Sequence, residues 1–164
     1  CKRLFSYVIF AGGLAIASAV AFVAHASEIQ LVIDGDVNEG FAVNFTGDNW
    51  LALPQVHFDT STGWTNRLHR LSGPALTDVL RHYDARPGDV RLTAVNAYSI
   101  TVNRDIIISE APIIANRIVD QPFDRRDNGP LWFVFPYDRA AKFKREAIFS
   151  ASVWQLVQIT VLAE

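Results

Sequence analysis

The alternation of apolar and polar residues along the chain predicts a protein with more strand than helix. The stretch "EIQLVIDGDV" alternates and then reaches Asp34-Gly35, which is typical of a strand that runs into a turn. The stretch "DVRLTAVNAYSITVN" is rich in β-forming residues but is interrupted near Asn96-Ala97, where we expect a bulge or bend. "LWFVFP" and "SVWQLVQITVL" predict further strands.

Two apolar runs, "DIIIS" and "PIIANRIV", do not alternate. Continuous runs of this length are typical of strands or short segments that are buried on both faces. Between the second run and "LWFVFP" lies "QPFDRRDNGP", which is rich in turn-forming residues and predicts a long polar loop.

Helical periodicity is confined to two places. "NWLALPQVHFDT" begins as a short helical turn that Pro54 ends, and a strand follows it. Pro74 opens a longer helix, because apolar side chains recur after it at i, i+3, i+4 and i+7, namely Leu76, Val79, Leu80 and Tyr83. "ARPGD" ends that helix. The pattern as a whole predicts an α+β fold with mixed β-sheets and few short helices.

The N-terminal segment has the pattern of a secretory signal peptide. Lys2 and Arg3 precede a long apolar run that ends in Ala24-His25-Ala26, a small-x-small cleavage site. We expect cleavage after Ala26, a periplasmic location, and a single domain over residues 27–164, where the sequence has no repeat or linker. The alternative is an uncleaved membrane anchor, since the run is about as long as a span requires.

Charge and cysteine content narrow the classes of function. Removal of the signal segment takes away two of the 15 Lys+Arg and none of the 17 Asp+Glu, so the formal charge changes from −2 to −4. A mildly acidic domain without a basic stripe is a poor candidate for nucleic-acid binding. The one cysteine, Cys1, precedes the basic residues. We therefore expect no disulfide, thiolate nucleophile or cysteine metal ligand in the mature chain.

Common catalytic motifs do not occur in the sequence. The histidines His57, His69 and His82 lack the spacing of a zinc site. The sequence also lacks a Gly-x-Ser-x-Gly elbow, a phosphate-binding glycine loop and a dinucleotide fingerprint. A metal site, serine chemistry and nucleotide chemistry are therefore not predicted.

Three polar-aromatic clusters, which we expect in loops, are the candidates for ligand binding. They are "TSTGW" with Thr60, Ser61, Thr62 and Trp64, "NAYS" with Asn96, Tyr98 and Ser99, and "DRRDNGPLW" with Arg125, Arg126, Asp127, Asn128 and Trp132. Aromatic faces beside a few fixed polar groups suit a planar heterocycle, since stacking provides affinity and hydrogen bonds recognise the edge. Taken singly, each tryptophan is more often part of a core or rim, and the arginine pair is more often a solvated turn.

The order of four motifs resembles a known family. "HFDTSTGW", "LSGPALTDVL", "VRLTAVNAYSITV" and "NGPLWFVFP" follow one another as do the motifs of the molybdopterin-binding domain of the sulfite oxidase family. That family typically reads Cys-Val-Thr-Gly-Trp, then Trp-x-Gly-Val-Pro-Leu-x-Asp-Leu-Leu, then a Gly-Tyr strand, then Gly-Gly-Pro-Leu-Arg before a Val-Val-Pro strand. The resemblance covers most of residues 50–161 and implies the sulfite-oxidase-type fold.

Two departures from the family pattern affect the implied chemistry. The family's molybdenum-ligating cysteine falls on Thr60, and a neutral hydroxyl cannot replace a soft thiolate on that metal. The arginine of Pro-Leu-Arg falls on Trp132. Together these changes imply that the oxyanion chemistry is lost while the frame that holds the pterin is kept.

The chain looks similar to a branch of small exported proteins with this fold that lack the cysteine. Members of that branch bind a free reduced pterin of the tetrahydropterin type, without molybdenum, and act as periplasmic sensors. They are thought to dock on the periplasmic domain of an inner-membrane diguanylate cyclase or phosphodiesterase. The resemblance thus implies a non-catalytic, pterin-responsive regulator of cyclic-di-GMP signalling and biofilm formation.

The same resemblance suggests roles for the polar and aromatic residues of the three clusters. Trp64 or Tyr98 would stack on the pterin, Asp127, Asn128, Asn96 or Thr62 would recognise its edge, and Arg126 or Arg67 would meet the oxo group or side chain. Thr60 and Trp132 complete the expected site. Two alternatives stay open: a molybdopterin-dependent oxidoreductase with atypical metal ligation, and an interaction module that binds no ligand.

Overall fold

The computed structural model describes residues 31–45, 48–63, 65–122, 126 and 129–164. The predicted signal segment and the site candidates Trp64, Arg125, Asp127 and Asn128 lie outside the described residues. No helix within the described part is long and apolar enough to cross a membrane.

The largest sheet has five strands in the order β2-β1-β12-β5-β6. Its strands are β1 (Leu31–Gly35), β2 (Phe41–Val43), β5 (Val90–Ala94), β6 (Ser99–Val102) and β12 (Leu156–Val161). β1 and β12 are parallel and the other pairs are antiparallel. The alternation that predicted β1 places Leu31 and Ile33 in the core, because successive side chains of a strand point to opposite faces.

Two smaller sheets complete the strand inventory of the described residues. One has the order β3-β4-β8-β9, with β3 (Gln55–Thr62), β4 (Thr65–Pro74), β8 (Arg117–Ile118) and β9 (Gln121–Pro122). The other has the order β11-β10-β7, with β7 (Ile113–Ala115), β10 (Trp132–Val134) and β11 (Val153–Trp154). β4 crosses very close to β7 at Gly73, where an added Cβ would lie 2.0 Å from the carbonyl oxygen of Ile114.

The helices are short, as the sequence predicts. They are α1 (Asp48–Leu51), α2 (Leu76–His82) and α3 (Glu146–Ser150), with 3-10 turns at Arg104–Ile106 and Ala141–Phe143. The apolar stripe of α2 is buried through Leu76, Val79 and Leu80, whereas Tyr83 is only partly buried. The helix begins at Leu76 rather than at Pro74, because Pro74 is the last residue of β4.

Three predicted strands differ in the structure. The interruption near Asn96-Ala97 is a chain reversal between β5 and β6, with Ala97 at φ 66°, rather than a bulge within one strand. "SVWQLVQITVL" forms two strands, because Gln155 at φ 53° separates β11 from β12. "DIIIS" begins as a 3-10 turn in which the Asn103 side chain accepts a hydrogen bond from the Asp105 amide, and Ile108 is exposed, so burial on both faces is wrong there.

The predicted polar loop "QPFDRRDNGP" is also partly structured. Its first two residues form β9, which pairs with β8 across the turn Val119-Asp120. Both turn residues have positive φ, at 49° and 61°, as in the mirror-image turns that join tight hairpins. A valine in this conformation is unusual, which explains why the sequence did not predict a hairpin.

The hydrophobic core contains residues from all three sheets and from the helices. Its largest fully buried side chains include five aromatic residues, Trp50, Trp132, Phe133, Phe135 and Tyr137. Four of these belong to β10 and the segment directly after it, so the strand predicted from "LWFVFP" is a central element of the core.

Candidate ligand-binding site

A buried polar cluster, formed by Thr60, His69 and Trp132, lies among the apolar side chains of the core. Thr60 of β3 is fully buried and pairs with His69 of β4. His69 is 6% exposed and Trp132 is 1% exposed. The two rings meet edge to face, with 6.5 Å between their centroids. Three polar groups from three strands therefore share one region from which solvent is largely excluded.

Two ring nitrogens of this cluster have no hydrogen-bond partner among the described residues. They are Nε2 of His69 and Nε1 of Trp132. A buried polar atom without a partner costs free energy, and most such atoms in folded proteins are paired. The cluster thus has unused hydrogen-bonding capacity at two facing side chains.

The surroundings of His69 disfavour its protonated form. Burial lowers the pKa of His69 below its usual 6.5, and the positive charge of Arg67 lowers it further. A neutral imidazole has one nitrogen that donates and one that accepts. The cluster can therefore offer both an acceptor, from His69, and a donor, from the indole N–H of Trp132.

The strand that carries Thr60 is fixed at its end by a surface carboxylate. The backbone amide and the hydroxyl of Ser61 both donate to Oδ2 of Asp138, at 2.6 Å and 2.7 Å. Lys144 lies 3.3 Å from the other oxygen of Asp138. The two hydrogen bonds from Ser61 are the main reason that the pKa of Asp138 lies below its usual range.

A register shift occurs at the same point of the hairpin. Thr60 pairs with His69 and Thr62 pairs with Thr65, so β4 has three residues opposite the single residue Ser61. Such irregularities re-aim the neighbouring side chains and often occur beside functional sites. The exposed Arg67 lies within the longer stretch of β4.

An aromatic cavity of about 320 Å³ opens beside the chain reversal between β5 and β6. It is lined by Ala94, Asn96, Tyr98, Phe149, Ser150, Ser152, Val153 and Trp154. The Asn96 side chain accepts a hydrogen bond from the Tyr98 amide at 3.1 Å, which fixes the turn. Tyr98 is 50% exposed, so its ring is accessible to a ligand at the mouth of the cavity.

The backbone at the mouth of the cavity is held in uncommon conformations. Ala97 and Gln155 both have positive φ, and a hydrogen bond of 3.0 Å from the Val95 amide to the Gln155 carbonyl joins the two segments. Non-glycine residues in this region of backbone space are strained and cluster at ligand-binding sites.

The inner wall of the cavity is rigidly packed. Phe149 stacks on Tyr137 with ring centroids 4.7 Å apart and an angle of 18° between the planes. The Tyr137 hydroxyl forms a hydrogen bond with the Ser152 hydroxyl, and burial raises the pKa of Tyr137 to about 12. The cavity therefore combines flat aromatic walls with hydroxyl and amide groups.

The buried polar cluster and the aromatic cavity are neighbours. Trp132 of β10 pairs directly with Trp154 of β11 in an antiparallel register. Directly opposed residues point to the same face of a sheet, with Cβ atoms roughly 5 Å apart. Trp132 contacts His69, while Trp154 lines the cavity. The adjacent tryptophans thus connect the two regions.

The structure brings together some of the predicted site residues and separates others. Asn96 and Tyr98 line one cavity, and Thr60 and Trp132 belong to the buried polar cluster. Thr62 is buried on the same face of β3 as Thr60. Arg67 and Arg126 are exposed. Thr60 and Trp132 are buried residues of β3 and β10, so the strands predicted after Pro54 and at "LWFVFP" are confirmed, and the grouping of these two residues with loop clusters is wrong.

Several residues of the two regions were not selected from the sequence. The spacing of His69 relative to the other histidines does not match a zinc site and gives it no role, although His69 lies two residues before Leu71 and shares the inward face of β4. Phe149, Ser152 and Trp154 enter the cavity from a helix and a strand far from Tyr98 in the chain. Strand alternation could have placed His69 inside, but no local signal predicts the contacts between distant segments.

The residue at the family's molybdenum position does not fit that metal. The hydroxyl of Thr60 donates to the carbonyl oxygen of Ser61 at 3.1 Å, and a neutral hydroxyl in that arrangement offers no anionic sulfur. The aromatic cavity, by contrast, has the flat walls and polar groups that fit a pterin ring. Within the described residues, no group of three or more His, Cys, Asp or Glu side chains is placed to hold a metal ion.

Comparison with known proteins gives a likeness of fold. No protein-family model and no curated protein matches the sequence. Among solved structures, the sulfane dehydrogenase SoxCD from Paracoccus pantotrophus is similar, with a TM-score of 0.64 and 11% sequence identity. The likeness covers 83% of this chain and 38% of that chain, so this chain spans well under half of the enzyme's length. The described residues therefore form mixed sheets with few short helices that resemble a part of this dehydrogenase in fold.

Proposed function

We propose that this chain is a non-catalytic, pterin-binding protein of the periplasm with a sulfite-oxidase-type fold. The aromatic cavity is the observation that carries the proposal. Its volume of about 320 Å³ lies at the lower end of the roughly 300–1,000 Å³ typical of small-molecule pockets. The ring of Tyr98 provides a stacking surface, while the amide of Asn96 and nearby serine hydroxyls provide hydrogen bonds to the ring edge.

The absence of catalysis is proposed from the chemistry of one position. Thr60 stands where the sulfite oxidase family has its metal-ligating cysteine, and its hydroxyl is engaged with Ser61. A pterin bound without molybdenum would act as a signal rather than as a redox centre. The ligand proposed is a reduced pterin of the tetrahydropterin type.

The proposed partner is the periplasmic domain of an inner-membrane enzyme that makes or degrades cyclic-di-GMP. This part of the proposal follows from the resemblance to the exported pterin sensors. Val95 and Tyr98 are exposed beside the cavity. A ligand that covers Tyr98 would change this surface, which gives a partner a way to distinguish the loaded from the empty protein.

The test is to express the full chain with its N-terminal segment and purify it from the periplasm. The denatured protein is then assayed for released pterin by fluorescence after oxidation, and for molybdenum by mass spectrometry. Pterin near one equivalent without molybdenum is the expected result. A protein that carries no pterin and binds none in a titration with tetrahydrobiopterin would refute the proposal.

A molybdopterin-dependent oxidoreductase with atypical metal ligation is the second candidate. The observation that favours it is the fold likeness to a sulfane dehydrogenase. It predicts stoichiometric molybdenum in protein from the native host. The same mass-spectrometric measurement therefore separates the two functions.

A further inference from the structure

A groove of about 110 Å³ lies between two segments that are distant in the chain. Ile106 and Ile108 line it from one segment, and Phe143 and Ile148 line it from the other. Phe143 and Ile148 are 4% and 2% exposed and form the apolar floor, whereas Ile108 is 38% exposed. We call this the α3 groove, because Ile148 belongs to α3. It presents a recessed apolar surface outside the aromatic cavity.

Positive charge is concentrated beside the α3 groove. Residues 139–145 contain four of the 15 Lys+Arg, although the whole chain has a formal charge of −2. Two of the four, Arg139 and Lys144, form ion pairs with carboxylates. The other two, Lys142 and Arg145, line the groove and are exposed. The positive charge of this segment that is not neutralised therefore lies at the groove itself.

The two cations of the groove make contacts that leave their charge without a carboxylate. Nζ of Lys142 lies 5.0 Å from the centroid of the Phe143 ring, and Nε of Arg145 donates to the Lys142 carbonyl at 3.2 Å. Neither cation forms an ion pair within the part of the chain that the structure describes. Asp105 is the one carboxylate among the described residues of the lining, so cations outnumber anions there. A negatively charged group of a partner would therefore be attracted to the side of the groove that carries Lys142 and Arg145.

The size and depth of the groove indicate which kind of occupant fits. Its volume lies far below the roughly 300–1,000 Å³ of small-molecule sites, so it accommodates a single side chain rather than a whole ligand. A membrane-binding surface inserts protruding apolar side chains among the lipid headgroups. Here Phe143 and Ile148 are recessed, so the groove receives an apolar group instead of presenting one. Protein partners supply such groups as anchor side chains that fill pockets.

We propose that the α3 groove is a docking site for an acidic segment of a partner protein. One apolar side chain of that segment packs on Phe143 and Ile148. The carboxylates that flank it lie beside Lys142 and Arg145, where charge complementarity fixes the orientation of the segment. This inference does not rest on the proposed function, because the α3 groove and the aromatic cavity are lined by different residues.

The probe is the peptide acetyl-Glu-Glu-Leu-Glu-Glu-amide, which has one apolar side chain between carboxylates. It is titrated into the isotope-labelled full chain at low ionic strength, and binding is followed by the shifts of backbone amide signals in NMR spectra. Saturable shifts are expected in residues 105–108 and 142–148. A peptide with serine at the central position should bind about tenfold more weakly, because the apolar anchor is lost. Sodium chloride at about 0.3 M should weaken binding of the leucine peptide about threefold or more, because it screens exposed charges.

Variants at exposed positions test the charge and the apolar rim separately. Replacement of Lys142 and Arg145 together by glutamine should weaken binding of the leucine peptide about fivefold or more. The matched control replaces Arg70 and Arg91, two exposed cations outside the groove, by glutamine and should leave the dissociation constant unchanged.

Ile108→Ser reduces the apolar surface of the groove and should weaken binding of the leucine peptide about threefold. Leu68→Ser, at an apolar residue that is 62% exposed outside the groove, is its control and should have no effect on binding.

Three results would overturn the inference. The first is the absence of saturable shifts around the groove with the leucine peptide. The second is an affinity that stays unchanged when Lys142 and Arg145 are both replaced. The third is binding to phosphatidylglycerol vesicles that depends on these two residues while the peptide causes no shift, because the surface would then contact a membrane instead of a protein. Circular dichroism confirms that each variant is folded before titration.

Discussion

Tyr98 is the residue at which the cavity is most accessible to a flat ligand. Its backbone is fixed by the hydrogen bond from its amide to Asn96, and the neighbouring residue Ala97 is held at positive φ. These contacts lie within the chain itself and fix the backbone of the turn that carries Tyr98. Such preorganisation reduces the entropic cost of association.

Replacement of Tyr98 by alanine should weaken pterin binding by about tenfold or more, because both the stacking and the buried area are lost. Tyr98→Phe keeps the ring face and should stay within about threefold of the wild type. Isothermal titration calorimetry with a reduced pterin under anaerobic conditions measures both. Unchanged affinity in Tyr98→Ala would place the ligand outside the aromatic cavity.

His69 makes stability depend on pH in a defined direction. Its pKa in the folded protein is lowered, first by burial and then by Arg67, so the unfolded chain takes up a proton at a higher pH than the folded chain. The stabilisation is complete above the unfolded value near 6.5 and is lost as the pH falls from there towards the folded pKa. Urea unfolding at several pH values should show this loss, and His69→Phe should show a smaller one.

At the scale of elements, the end of β3 is held by one surface carboxylate. Asp138 accepts both hydrogen bonds from Ser61, next to the buried Thr60. The contact joins the β3–β4 hairpin to the segment that follows β10. Trp132 is the first residue of β10. Asp138 therefore helps to position two members of the buried polar cluster relative to each other.

Asp138→Asn should weaken this connection, because a neutral amide accepts hydrogen bonds less strongly than a carboxylate. The expected result is faster hydrogen exchange at the Ser61 amide and a lower urea midpoint. Since the pKa of Asp138 lies below its usual range, wild-type protein should show the same loosening only as the pH falls below the usual carboxyl range. Asp59→Asn, an exposed carboxylate on the same strand, is the control and should change neither measurement.

The crossing of β4 and β7 depends on the missing side chain of Gly73. A Cβ there would lie 2.0 Å from the Ile114 carbonyl oxygen, so the backbones would have to separate. Gly73→Ala should therefore destabilise the protein by about 2 kcal/mol or more, as overpacking does. At Gly40 the nearest atom to an added Cβ is 3.6 Å away, and Gly40→Ala should stay within about 0.5 kcal/mol of the wild type. If urea unfolding shows that Gly73→Ala and Gly40→Ala lower the free energy of unfolding equally, the close approach of β4 and β7 at Gly73 does not determine stability.

At the scale of the whole molecule, the sequence predicts those strands and helices that are determined by the local periodicity of apolar residues. The strand predicted after Pro54 in "NWLALPQVHFDT" and the helical spacing of Leu76, Val79 and Leu80 identify β3 and α2 correctly. The sequence predicts a bulge or bend near Ala97 but not a full reversal between two strands, because positive φ without glycine gives no compositional signal. The pairing of Trp132 with Trp154 and the approach of His69 are set by long-range topology, which periodicity does not determine.

A ligand that binds between distant segments should stabilise the whole fold, because unfolding destroys its site. The aromatic cavity joins residues 94–98 to residues 149–154, so it exists only when the sheets and α3 are assembled. At a free pterin concentration one hundred times the dissociation constant, the stabilisation is about 2.7 kcal/mol. For a chain of this size that corresponds to a rise in Tm of about 5–10 °C. Thermal unfolding should show this rise for the wild type and a much smaller one for Tyr98→Ala at the same pterin concentration. Trp50→Phe should unfold at a lower temperature and still show the full rise, whereas an equal rise in Tyr98→Ala would mean that pterin binds elsewhere on the protein.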